Sequence, residues 1–156
     1  MGITGATGSL GSALTKILIS KGAYVVGLTH GAIPLRNSLN QAPQEWIQWH
    51  CGQEASLDSA LENLDILILN HGINPQGAQT SNDLSNAMEI NALSTWRLMI
   101  RFEDLALKNL SQTSPKKEVW VNTSEAEIQP AFSPSYELSK RLIGQLVSLR
   151  CSNLKE

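Results

Sequence analysis

The chain has 156 residues, 42% of them hydrophobic and 17% charged. That length suits one compact domain, and that aliphatic content excludes a disordered chain. Twelve Lys and Arg against fourteen Asp and Glu leave a net charge of −2, and without a basic stripe nucleic acid is not an expected partner.

Strands and helices alternate along the chain. Gly2-Ile3-Thr4 reads as a short strand running into Gly5, Gly8 and Gly11. From Ser9, apolar residues at Leu10, Ala13, Leu14, Ile17 and Leu18 recur at helical spacing until Gly22 stops them. Ala23–Leu28 is a buried strand, His30–Gln44 a loop broken by Pro34 and Pro43, and Trp46–Cys51 a third strand. Glu54–Leu64 follows as a short helix, and Asp65–Asn70 is an aliphatic run typical of a strand covered on both faces. Ser81 is expected to cap a long helix carrying Leu84, Met88, Asn91, Thr95, Leu98, Met99 and Phe102. Glu118–Asn122 is a fifth strand, and Ser133-Pro134 opens a last helix through about Leu149. Strands separated by helices predict a parallel sheet with helices on both faces.

Other segments carry little. Cys51 and Cys151 match no metal spacing, so no metal is expected and a reducing compartment is. No apolar run approaches the ~18 residues of a membrane span, no basic region marks a secretory signal, and Ala6 blocks a myristoylation reading. The expected localisation is cytoplasmic.

Two clusters carry chemistry. Thr4-Gly5-Ala6-Thr7-Gly8-Ser9-Leu10-Gly11 lies between a strand and a helix, where glycines admit a tight turn and backbone amides can approach a pyrophosphate. The plain alternative is a turn of small residues; a Walker A loop is excluded because no Gly-Lys-Ser/Thr follows. Tyr136 and Lys140 stand four apart on one helix face. An ammonium beside a phenol favours the phenolate, and such a Tyr can move a proton at a substrate oxygen; otherwise the pair is a solvated surface Tyr and Lys. Ser124 lies at the carboxyl end of the fifth strand, where ligands bind in open parallel sheets, or simply closes a turn. Asn91 is unfavourable in mid-helix unless its amide is used; the alternative is a solvent-facing Asn.

Together these residues resemble the short-chain dehydrogenase/reductase family. Thr4-Gly5-x-x-x-Gly-x-Gly11 is similar to its cofactor fingerprint, and Asp65–Gly72 to the strand ending in its Asn-Asn-Ala-Gly, with Leu69 and His71 departing. Asn91, Ser124, Tyr136 and Lys140 fall in the order of its catalytic tetrad. The resemblance implies a Rossmann-type doubly wound sheet, strand order 3-2-1-4-5, lacking the family's last two strands. It implies hydride transfer between a nicotinamide cofactor and a small carbonyl or alcohol substrate. Tyr136 would be the general acid/base, Lys140 would lower its pKa and hold the nicotinamide ribose, and Ser124 would bond the substrate oxygen. Asn91 would hold a water on the proton path. Gly5, Thr7, Gly8, Ser9, Leu10, Gly11, Thr29, His30, Asn70 and Gly72, with Tyr136 and Lys140, would bind the cofactor. Thr29-His30-Gly31 offers no carboxylate to a ribose 2′-hydroxyl, and Arg36 follows, so NADP is favoured over NAD.

Trp120–Glu127 and Pro134–Arg141 also resemble the dehydrogenase part of bacterial chains that carry a sterol-desaturase-like membrane portion, so a fused or associated membrane portion is an expectation. Residues 1–156 read as a single NAD(P)-binding domain trimmed at both ends, with the substrate pocket missing a wall. The alternative is a non-catalytic nucleotide-binding or association module. The two long helices are expected to pair copies into a homodimer or homotetramer through Leu105, Ala106, Leu138, Leu142 and Leu146, which could equally be core; Trp96, Ile128 and Phe132 could edge a hydrophobic pocket.

Overall fold

The computed structural model describes residues 1–34, 42–75, 80–108 and 116–153. Two units make up the chain, Met1–His71 with Leu98–Asn122, and Gly72–Arg97 with Thr123–Glu156.

The first unit is built on a five-stranded parallel sheet: β1 (Gly2–Thr4), β2 (Val26–Thr29), β3 (Glu45–Gln48), β4 (Ile66–Leu69) and β5 (Glu118–Val121), in the order 3-2-1-4-5. This is the doubly wound arrangement expected. Side chains alternate across such strands, so Ile68 joins Ile3, Val25 and Ala6 in one cluster against Leu14 and Leu18 of helix α1 (Ser9–Ser20). Leu67 and Leu69, on the opposite side of β4, are equally buried. Gly27 of β2 exists for a neighbour: a Cβ there would meet the Trp46 ring of β3 at 2.6 Å.

Several element limits differ from expectation for local reasons. β2 begins at Val26 because the Ala23 N–H closes α1, donating to the Leu18 carbonyl at 3.0 Å. The expected Glu54–Leu64 helix is a 3-10 turn, Glu54–Leu57, followed by α2 (Asp58–Glu62). It ends early because Asn63 and Leu64 bond back only three residues, to Ala60 and Leu61. β3 starts at Glu45, and Trp49 leaves the strand as a buried residue.

The second unit is helical. α3 (Ser81–Met88) passes through a π-helical turn, Glu89–Leu93, into α4 (Ser94–Lys108), whose residues from Leu98 belong to the first unit. Thr80, not Ser81, caps α3: its Oγ1 accepts the Asp83 N–H at 3.2 Å while Asp83 accepts the Thr80 N–H at 3.1 Å. This reciprocal box satisfies two helix-end donors, and Thr-x-x-Asp places it one residue earlier than expected. A 3-10 turn (Glu125–Glu127) and α5 (Pro134–Asn153) complete the unit, and α3 and the π turn pack on α5. Of the residues expected to pair copies, Leu105 is buried within the chain while Leu138 is 47% exposed.

Candidate active site

In the first unit the glycine loop folds tightly on itself. Gly5 has φ +65°, and a Cβ there would meet the His71 Cα at 2.9 Å; one on Gly11 would lie 2.2 Å from the Gly5 carbonyl oxygen. Only glycine adopts that φ freely, and only glycine lets α1 start this close to the loop. The Gly8 N–H donates to the Gly5 carbonyl at 3.0 Å, and Gly8 caps α1 without any side-chain cap. Thr7, Ser9 and Leu10 are exposed at this helix start, Leu10 at 49%. An uncapped helix N-terminus beside a glycine turn suits a pyrophosphate, because backbone N–H groups and the helix dipole both favour an anion. The residues present therefore fit a dinucleotide.

Around this loop, Thr29 is buried at the end of β2, its hydroxyl 3.4 Å from that of Thr7. Exposed His30 follows, and Arg36 lies outside the described residues. Asn70 is half-buried beyond β4, its Oδ1 accepting from the Asn122 amide at 3.0 Å. Thr4, expected only as the first residue of the cofactor fingerprint, organises this corner. Its buried hydroxyl accepts the N–H groups of Asn70 (2.8 Å) and His71 (3.1 Å) and bonds the His71 ring Nδ1 at 2.8 Å. Trp49 meets the same ring edge-on, centroids 5.2 Å apart. A threonine inside a strand gives no sequence signal for such bonds.

The second unit holds Gly72, Asn91, Ser124, Tyr136 and Lys140. Asn91 is buried in the π turn rather than on a solvent face. Its Oδ1 accepts the Ile73 N–H at 2.7 Å, and its Nδ2 donates to the Ile73 carbonyl and the Ser139 hydroxyl, both at 2.9 Å. A Cβ on Gly72 would stand 2.9 Å from Asn91 Oδ1 and 3.8 Å from Lys140 Nζ, so the two head groups converge there. Lys140 is 5% exposed, and burial pushes its ammonium below the ordinary 10.5. Its Nζ lies 5.8 Å from the centre of the Tyr136 ring.

Ser124 does not end β5. It stands three residues beyond Val121, where its Oγ accepts the Ala126 N–H at 3.2 Å and caps the 3-10 turn. Ser124 and Tyr136 line one open cavity of about 690 Å³, with Asn74, Gln129 and Phe132 also on its wall. Phe132 (101%) and Ile128 (76%) are exposed. Among the described residues no three His, Cys, Asp or Glu side chains are grouped to hold a metal, and no helix is long and apolar enough to cross a membrane.

The family model of the NAD dependent epimerase/dehydratase family matches residues 1–149. The chain belongs to that family. It is 39% identical over 150 residues to a monoglucosyldiacylglycerol epimerase of Synechocystis, covering 95% of this chain and 36% of that protein. The chain thus spans about a third of that relative's length. Among solved structures, a 4-hydroxyisoleucine dehydrogenase complexed with NADH and succinate matches 99% of this chain and 72% of its own, with TM-score 0.76 and 18% identity. A chain of Agrobacterium tumefaciens named for 2-deoxy-d-gluconate 3-dehydrogenase, with bound NADP, matches 97% and 64%, with TM-score 0.79 and 19% identity. These two share the fold. The short-chain dehydrogenase/reductase resemblance of the motifs stands with the family match.

Proposed function

We propose that the chain is the cofactor-binding and acid–base part of an NAD(P)-dependent enzyme that oxidises and reduces a secondary alcohol carbon. The observation that carries this reading is the buried Lys140 ammonium, 5.8 Å from the ring of a Tyr136 that lines the Ser124 cavity. In the oxidising direction Tyr136 takes the proton of the substrate hydroxyl, and in the reducing direction it returns one to the carbonyl oxygen. Ser124 still has its hydroxyl proton to donate to the same oxygen, steadying the charge that develops there. Lys140 places positive charge 5.8 Å from the centre of the Tyr136 ring, where it offsets negative charge on that side chain. A bound nicotinamide dinucleotide supplies the hydride acceptor and donor; Gly5, Gly8, Ser9, Leu10 and Gly11 would hold its pyrophosphate. No carboxylate stands at Thr29 or His30 to repel a 2′-phosphate, which supports NADP with NAD as the alternative.

A second reading is favoured by the 39% identical epimerase. Removing hydride from a sugar carbon and returning it to the other face inverts that carbon without net oxidation. Both readings use the same first half-reaction. The substrate would then be a sugar on a diacylglycerol, and the exposed Phe132 on the cavity wall would suit its apolar part.

The test measures NADPH and NADH oxidation with a panel of ketones, and inversion of a monoglucosyldiacylglycerol, in the chain and in Tyr136→Phe. A loss of about 100-fold or more in Tyr136→Phe is expected. Equal rates in the two proteins would sink the catalytic reading, and cofactor binding without turnover would leave a nucleotide-binding module.

A further inference from the structure

Ser139 is fully buried, three residues after Tyr136 and one before Lys140. A serine hydroxyl has one proton and two lone pairs. Here the proton goes to the Tyr136 carbonyl at 2.8 Å, and one lone pair accepts the Asn91 amide at 2.9 Å. Asn91 is itself held to both backbone groups of Ile73. A continuous run of bonds therefore joins the loop after Gly72, the π turn and the first turns of α5. Helix stability does not explain a serine here. Alanine is the better helix former, and a hydroxyl bonding back along its own helix slightly destabilises and bends it. The π turn points the same way, since its extra residue changes which side chains face α5, and such turns cluster at functional sites.

We propose that Ser139 is a positioning residue that sets the rotation of α5 against Asn91, and so holds Tyr136 and Lys140 in their working relation. It reaches the reaction only through those two side chains. Its kinetic consequence rests on the function proposed above; its effect on the place of Lys140 does not. Among the groups around Lys140 are the Tyr136 ring on α5, the Asn91 carboxamide in the π turn and the Gly72 backbone. Without the Ser139 hydroxyl, Asn91 loses one of its three anchors and α5 loses a tie that fixes its rotation against the π turn. Lys140 would then lose part of the burial that holds its ammonium down.

The experiment follows the Lys140 side-chain resonance against pH in the full chain labelled with ¹³C-lysine, the signal identified by its absence in Lys140→Arg. Wild type should titrate below 10.5. In Ser139→Ala the midpoint should rise by about half a unit or more, whereas Ser139→Thr, which keeps the hydroxyl, should stay with wild type. Ser139→Cys, similar in volume with a weak donor and acceptor, should follow Ser139→Ala and replaces it should the alanine variant not fold. A titration in Ser139→Ala or Ser139→Cys superimposing on wild type overturns the proposal, and so does a threonine variant that restores nothing. Where wild type turns over, Ser139→Ala should lose about tenfold in kcat at unchanged KM; a change in KM alone also overturns it. An inactive wild type counts against the proposed function, while the titration still decides the role of Ser139.

Discussion

The Asn91 side chain grips Ile73 by both backbone groups: its Oδ1 accepts the Ile73 N–H at 2.7 Å and its Nδ2 donates to the Ile73 carbonyl at 2.9 Å. A primary amide reproduces here the pairing that one strand offers another. Replacing it with Leu keeps the branched shape, leaves both Ile73 groups unmatched and removes one of the two bonds of the Ser139 hydroxyl, which still donates to the Tyr136 carbonyl. Leaving a buried donor or acceptor unsatisfied costs about 1–3 kcal/mol, so Asn91→Leu should lose about that much stability in urea unfolding. Asn91→Asp keeps the acceptor and loses the donor, and should fall between Leu and wild type.

Gly11→Ala tests the glycine cradle. The added Cβ would meet the Gly5 carbonyl oxygen at 2.2 Å and the Ala6 Cα at 2.9 Å, both backbone atoms that cannot swing away. The start of α1 must therefore move off the loop. NADPH or NADH binding, followed by fluorescence titration, should weaken by about tenfold or more, a change of about 1.4 kcal/mol. Unchanged affinity would place the dinucleotide somewhere other than this loop.

The depressed Lys140 ammonium makes stability depend on pH. In the unfolded chain Lys140 holds its proton up to about 10.5; in the folded chain it releases it sooner. Between those two values the unfolded state binds more protons, so stability rises with pH. Below the folded value the burial penalty is fully present. Lys140→Met should remove this contribution, flattening the slope of unfolding free energy as pH rises toward 10.5. An identical slope in the variant would contradict the assignment.

Lys117 closes the end of α2 from a distance in sequence. Its Nζ donates to the Glu62 carbonyl at 2.7 Å and the Leu64 carbonyl at 2.6 Å, and lies 5.4 Å from the centre of the Phe102 ring. A cation at a helix C-terminus is worth about 0.3–1 kcal/mol, and its bonds to two carbonyls add to that. Lys117→Met keeps the chain length and should lower stability by about 1–2 kcal/mol. Thermal unfolding with and without added salt would check it; part of the loss should persist in salt, since hydrogen bonds are screened less than exposed charges.

Arg101 and Asp58 form a partly exposed pair joining α4 to α2. The Arg101 guanidinium holds the Asp58 carboxyl below its ordinary 3.8. A lowered carboxyl stabilises above 3.8 and loses that contribution as pH falls through its folded value. Arg101→Leu should cost less than about 1 kcal/mol at neutral pH, because both side chains face solvent. It should also shift acid unfolding to higher pH, as read by circular dichroism.

The strand–helix alternation, the glycine loop and the Tyr136–Lys140 spacing were legible because each depends on neighbours within a few positions. Periodicity of apolar residues names an element, a φ of +65° at Gly5 demands glycine, and four residues on a helix make one face. The place of α3's cap was legible too, in Thr80-x-x-Asp83, though the expectation fell one residue late. The π turn at Asn91 was not legible, since no local residue preference requires it; bonds to Ile73 and Ser139, 18 and 48 positions away, hold it. Ser124 likewise left the strand for a capping position that only the 3-10 turn defines. Composition, periodicity and motif order by themselves determined the parallel α/β sheet and the candidate site residues. Tertiary structure alone decided that Asn91 is a clamp, that Thr4 organises the corner at Asn70 and His71, and that Lys140 is buried. The reason is physical: a hydrogen bond between distant residues is a property of how elements pack, and no spacing along the chain encodes it.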